Sequence, residues 1–166
     1  MSSITKTFDT AYGWFLKAAN ALQGPLLLAI RLYWGWQFCQ TGYGKLTNIP
    51  HVVEYFTSLG IPAPTLNAYF NGVLETGGGI LLALGLGSRL IALPLVADML
   101  GAYVIADREA LGSIFSEPGK FYNADPYTFL FASLLILVFG PGWLSVDTLI
   151  TRYRAKRQHN SVAAEH

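Results

Sequence analysis

Charge is scarce in this chain, and so are cysteine and histidine. Charged residues fill 13% of its 166 positions, against roughly 25% in a soluble domain. A water-soluble domain of that length needs more polar surface, whereas helices facing lipid do not, because they are as apolar outside as inside. The single cysteine, Cys39, has no partner for an intrachain disulfide and cannot be half of a CxxC redox pair. Of the three histidines, His51, His159 and His166, two stand in a polar tail. Neither a zinc site nor a bis-histidine haem pocket can be assembled from that inventory without another chain, so no metal site is expected. No dinucleotide-binding glycine fingerprint is present. No basic stripe interleaved with aromatics appears, which argues against nucleic-acid binding. The first 23 residues lack a compact apolar core and a small-residue cleavage site, and they spread Lys6, Asp9 and Lys17 among aromatics. They do not read as a signal peptide.

What the chain has instead is apolar sequence: 52% hydrophobic and 14% aromatic residues, with a mean hydropathy of +0.39. A helix crossing a bilayer needs about 20 mostly apolar residues. Four segments qualify: 24–45, opened by Pro25 at a helix-start position; 65–86; 88–106; and 126–138, which extends as far as 144 if the apolar run continues. The second and third are separated by little more than Gly87-Ser88 and must form a tight antiparallel hairpin. The strongest basic cluster, Arg152, Arg154, Lys156 and Arg157, follows the last segment. Positive charge marks the cytoplasmic side, so both termini are expected there, with loops 46–64 and 107–125 facing outward. Residues 1–23 place Phe8, Tyr12, Phe15, Ala19 and Leu22 at helical spacing and read as an amphipathic interfacial helix. In the first outer loop, Asn48 and Pro50 suit the start of a short helix with Val52, Val53, Phe56 and Leu59 on its apolar side, and Gly60 ends it. The expected fold is all-α: an integral membrane four-helix bundle with an N-terminal interfacial helix and a short outer-loop helix. Its parts are an interfacial segment 1–23, a membrane domain 24–150 and a basic polar tail 151–166.

Four charges fall within or beside these segments: Arg31, Lys45, Glu75 and Asp98. A charge at the centre of a membrane helix costs roughly 2.5–3.5 kcal/mol even on the gentler scale. Two acids and an arginine are therefore expected to meet, with Arg31 between Glu75 and Asp98 or forked onto one of them. On the second segment Asn67, Asn71, Glu75 and Gly78 lie on one face, as Arg31, Gly35, Phe38, Gly42 and Lys45 do on the first. Gly77-Gly78-Gly79, Gly42 and Gly44 suit close backbone approach. The candidate cluster is thus Arg31, Asn71, Glu75 and Asp98, with Lys45, Asn67 and Tyr43 as secondary members. Such a cluster either locks helix register or forms a proton-linked or ligand-binding site, and the second acid favours the latter. Cys39 reads as a packed inert thiol, and His51 with Glu54 as a solvated loop pair. Trp14, Trp34, Trp36 and Trp143 include candidate interface anchors.

Three stretches carry a family resemblance. The first runs from Phe38-Cys-Gln-Thr-Gly-Tyr-Gly-Lys45 into Tyr55-Phe-Thr-Ser-Leu-Gly-Ile-Pro-Ala-Pro64. The second is Glu75-Thr-Gly-Gly-Gly continuing to Gly85-Leu-Gly-Ser-Arg89. The third is Gly140-Pro-Gly-Trp-Leu-Ser-Val-Asp147. In this order, across about residues 26–150, the chain resembles the DoxX family. Arg31, Glu75 and Lys45 match residues typical of that family, while Asp98 falls outside the correspondence. The resemblance implies a multi-pass protein of the bacterial cytoplasmic membrane with a four-helix core. Members are commonly labelled membrane oxidoreductase subunits. Related proteins serve quinone-linked thiosulfate oxidation, or join thiol-stress and superoxide-detoxifying partner proteins at the membrane. With no redox centre of its own, such a chain would borrow a membrane quinone, its head group lying near Asn71 and Glu75. Two rival expectations stand beside this one: a proton-linked small-molecule binder or transporter, and a structural membrane scaffold. The glycine surface suits either packing within the chain or a homo-oligomer.

Overall fold

The computed structural model describes residues 3–164, with side chains for 8–158 and 160. The side chains of Lys6 and His159, and the whole of His166, lie outside the described residues. Every regular element among the described residues is helical: α1 (Ser3–Thr47), α2 (Ile49–Ser58), α3 (Pro64–Leu84), α4 (Ser88–Ile105), α5 (Arg108–Gly112), α6 (Pro118–Asn123), α7 (Pro126–Phe139) and α8 (Val146–Ala164). Proline opens α3, α6 and α7, where its missing N–H has no helical acceptor to lose. α1 lies along α3, α3 packs on α4, α4 on α7, and α7 returns to α1.

α1 departs from the expected boundary. It is one helix of 45 residues with Pro25 in its interior, about 67 Å long at 1.5 Å per residue. Pro25 therefore starts no new helix, and residues 3–23 are not a separate element. A proline that suits a first turn is equally tolerated within a long helix, at the loss of one hydrogen bond. Residues 8–23 carry almost wholly exposed side chains, with Phe8, Tyr12 and Phe15 stacked in sequence at centroid spacings of 6.3 Å. The basic tail is helical as far as Ala164, as part of α8.

Among the described residues one helix, α4, is by length and composition both long and apolar enough to cross a membrane, and α7 is apolar but has 14 residues. Four comparable segments were expected. The inward polar positions of α1 and α3 lower their hydropathy. Gly140, at φ +78°, ends α7 before the apolar run does.

The α1–α3 seam is made of backbone against backbone. A Cβ on Gly79 would stand 2.5 Å from the Gly35 carbonyl oxygen, and one on Gly42 would stand 2.5 Å from the Thr76 nitrogen. Gly72 makes room for the Leu46 side chain, while Gly78 turns to Leu95 on α4. Gly44 and Gly77, expected at the seam, have nothing within 4 Å of a Cβ. They lie on the far sides of their helices, where glycine does not serve this contact. The core is filled by Leu27, Phe38, Leu82, Leu95, Met99, Tyr103, Leu130 and Ile136. Phe129 on α7 meets Phe38 and Trp34 edge-on at 4.7 and 5.1 Å.

The α3–α4 connection is three residues, Gly85-Leu86-Gly87. Leu86 N–H donates to Leu81 and Gly85 N–H to Leu82, a Schellman closure that requires the left-handed Gly85 at φ +71°. Asp147, from the start of α8, caps α4 across 60 residues of sequence: it accepts from Gly87 N–H at 2.8 Å, Ser88 N–H at 3.0 Å and the Ser88 hydroxyl at 3.1 Å.

Candidate functional site

Antiparallel pairing of α1 with α3 determines which charges can meet. The C-terminal end of α1 lies against the first half of α3, so Lys45 reaches the polar face of that helix. Its ammonium donates to Glu75 Oε1 at 2.7 Å and to Asn71 Oδ1. Asn71 Nδ2 donates onward to Asp98 Oδ1 on α4. Lys45, Asn71, Glu75 and Asp98 thus form one hydrogen-bonded chain across three helices. Asn67, one turn before Asn71, donates to the Pro62 carbonyl at 2.6 Å and holds the entry into α3.

The chain of polar groups is the floor of a cavity of about 580 Å³. Its walls are apolar and aromatic: Val52, Tyr55, Phe56 and Leu59 from α2, Phe70 and Leu74 from α3, and Pro94, Met99 and Ala102 from α4. Asn67, His51, Asp107 and Asp125 also line it. α2 buries none of its own residues fully; its apolar side faces this cavity. Asn48 precedes it without a side-chain capping bond, contrary to the expectation of a cap, and Pro50 supplies the helix start instead.

Glu75 is 3% exposed and Lys45 30%. Each carboxylate spends one oxygen within the chain of bonds. The other oxygens, Glu75 Oε2 and Asp98 Oδ2, are buried and have no hydrogen-bond partner among the described residues. Buried acceptors without donors are uncommon in a finished core, and both residues belong to the lining of the cavity. Among the described residues no group of His, Cys, Asp and Glu is arranged to hold a metal.

Arg31 does not join this cluster. It lies fourteen residues before Lys45, about 21 Å away along α1, and is 0% exposed at the other end of α3. Its Nη2 donates to the Leu144 carbonyl, and its guanidinium occupies the space that a side chain at Gly85 would take. Asp147 is the acid whose charge it shares. Arg31 thus ties α1 to the α3–α4 turn and to the segment before α8. Arg31 and Lys45 share one stripe of α1, and the stripe alone does not say which base meets the acids; the antiparallel register does. Tyr43 is 64% exposed and lies outside the cavity, since two residues turn a helix by about 200°. Its neighbour Lys45, a secondary candidate by sequence, is the cluster's cation. The α2 wall was not anticipated as part of the site, although its apolar side was legible as helical periodicity.

The sequence model of the DoxX family matches residues 26–108. Among curated proteins, Rv3486 of Mycobacterium tuberculosis, an uncharacterized membrane protein, is 31% identical over 77% of this chain and 83% of its own length. The inner membrane protein YphA of Escherichia coli is 30% identical over 77% of this chain and 92% of its own. A Bacillus subtilis protein named "Putative oxidoreductase CatD" is 26% identical over 82% of this chain and 92% of its own. No solved structure matches the chain.

Proposed function

The chain belongs to the DoxX family of bacterial membrane proteins, and on that premise we propose that its charged cavity receives the head group of a membrane quinone, in redox or detoxification chemistry shared with partner proteins. The observation that carries this reading is the cavity itself: aromatic and apolar walls around a floor of Lys45, Asn71, Glu75 and Asp98 with two unpaired carboxylate oxygens. A flat ring with a polar edge and an apolar tail fits such a lining. The name of the relative CatD points to the same class of chemistry.

In this reading α1, α3, α4 and α7 cross the cytoplasmic membrane as a four-helix bundle, with α8 and its Arg152, Arg154, Lys156 and Arg157 on the cytoplasmic side. Exposed Leu66, Val73, Leu90, Leu93, Phe131 and Val138 supply lipid-facing surface. The N-terminal third of α1 then lies on the cytoplasmic side, and α2, α5 and α6 lie at the outer face. A bound quinone would supply two-electron, two-proton chemistry at this site. Lys45 pairs with Glu75, Asn71 bridges Lys45 and Asp98, and Glu75 and Asp98 are the groups able to give or take a proton at a ring oxygen.

The test is to purify the protein with its co-extracted lipid and assay quinone by extraction. The expected result is near-stoichiometric quinone that is lost in Glu75→Gln. No retained quinone, together with proton-dependent solute uptake by reconstituted vesicles, would replace this reading with a binder or transporter using the same cluster.

A further inference from the structure

One face of α1 keeps a strict repeat along almost its whole length and packs on nothing within the chain. Gly35 and Gly42 turn the opposite face to α3. On the outward face Phe8, Tyr12, Phe15, Ala19 and Leu22 follow one another at alternating spacings of four and three. Leu26, Ala29, Tyr33, Trp36, Gln40 and Tyr43 carry the alternation on in the same phase, as far as Thr47. Every one of these side chains is exposed, while Asp9, Lys17 and Asn20 stand off the stripe. The pattern runs unbroken past Pro25 through more than five seven-residue repeats. A period of 3.5 drifts by about 20° per repeat around a straight helix, so it suits a helix wound about a second helix rather than one resting on a core. We infer that this face is the seam of a parallel two-stranded coiled coil between the α1 helices of two copies of this chain.

The length of α1 says that the stripe needs cover. A bilayer core about 30 Å thick takes about 20 residues, fewer than half of the 45 in α1. Phe8, Tyr12, Phe15 and Leu22 therefore stand outside the hydrocarbon, exposed, where an apolar stripe calls for a partner. The membrane surface does not provide one while α1 also crosses, because one uninterrupted helix does not turn through a right angle. This step rests on the crossing of α1 in the reading above; the seam and the cavity lie on different faces of α1 and can fail separately. A second copy fits better than a foreign chain. Copies of one membrane protein share an orientation, so a two-fold axis along the membrane normal sets each residue opposite its counterpart in a parallel pair. Gln40 is the one amide in the stripe, and it makes no side-chain hydrogen bond among the described residues. Carrying both a donor and an acceptor, it can pair with the same residue of the other copy and fix the register. No acidic or basic residue stands in the stripe to select a partner of opposite charge. Its six aromatics, each more than half exposed and each able to bury on the order of 100 Å² more, bring two copies into the size range of a stable interface.

The experiment uses the full-length chain in bacterial membrane vesicles, with Cys39→Ser so that each introduced thiol is the only one. Single cysteines are placed in the seam, Phe15→Cys and Leu22→Cys, and off it, Lys17→Cys and Asn20→Cys, then oxidised with copper phenanthroline. The expected result is a disulfide-linked dimer, at twice the 18.2 kDa of the chain, from the two seam sites and none from the other two. All four positions are exposed in the single chain, and circular dichroism of the purified variants verifies their folding. The unaltered protein in mild detergent should show the mass of two copies by light scattering, and Tyr12→Glu with Phe15→Glu should return it to one. Equal cross-linking at all four sites would overturn the seam, as would a mass of one copy with no cross-link anywhere. Seam thiols linked to a different protein would overturn the choice of a second copy. Seam thiols that do not cross-link and are shielded from a water-soluble maleimide would place this segment on the membrane surface and overturn the inference together with the crossing of α1 as one helix. Quinone retention is assayed on the same preparation, and its absence beside a cross-linked seam would remove the quinone reading alone.

Discussion

Glu75 carries a formal charge in a place that water barely reaches, and its neighbour Lys45 is the group that makes this tolerable. Removing one member of a buried pair strands the other, which is worse than never having had the pair. Lys45→Met should therefore lower stability by about 3 kcal/mol, the low end of the range because Lys45 is partly exposed. Changing both ends, Lys45→Met with Glu75→Leu, should recover most of that loss. Thermal midpoints in detergent of the single and double variants check this through the coupling between them; a double variant as unstable as the single would refute it. The candidate acids were legible in the sequence because isolated charges in apolar segments are costly and stand out. Their partner was not, because Arg31 and Lys45 lie on one stripe of one helix and differ only in height.

α1 and α3 approach closely enough that a Cβ on Gly79 or Gly42 would meet the facing backbone at 2.5 Å, and the residues responsible are separable from their neighbours. Gly79→Ala would press a methyl group onto the Gly35 carbonyl and the Cys39 nitrogen and sulfur. Backbone cannot yield as a flexible side chain can, so a cost of about 1–3 kcal/mol is expected. Gly77→Ala, two residues earlier with open space around it, should be neutral or stabilising by up to about 1 kcal/mol through helix propensity. Chemical or thermal unfolding of the two variants distinguishes them, and equal effects would mean that the seam does not close as described. A glycine run announces close packing without saying which member makes it; the facing helix decides. Helix ends follow a similar division. Pro64, Pro126, Gly85 and Gly140 mark boundaries that local chemistry dictates. Pro25 has the same chemistry and marks none, because the residues before it continue the helix and the local pattern does not register that continuity.

At the scale of the whole molecule, the turn between α3 and α4 is held from a distance by Asp147. Burial pushes its carboxyl up, but the Ser88 and Gly87 N–H groups, the Ser88 hydroxyl and the Arg31 charge outweigh this and hold it below the usual carboxylate value. A carboxyl lowered by folding contributes stability above its unfolded pKa of about 3.9 and loses that contribution as pH falls through the lower folded value. Asp147→Asn should therefore be less stable than the parent at neutral pH, and the gap should close in acid below about pH 4. Thermal midpoints of both proteins between neutrality and acid report it; a gap that persists in acid would refute it. The pairwise difference isolates Asp147 from every other carboxyl, since the two proteins share the rest. By itself the sequence determined the helical class, the inward polar face of α3 and the family, because periodicity and motif order are local properties of the chain. The tertiary structure alone decided that Lys45 rather than Arg31 meets the acids, that Arg31 serves the opposite end, and that α2 walls a cavity. Those outcomes depend on the height at which antiparallel helices meet, and no stretch of either helix encodes its register against the other.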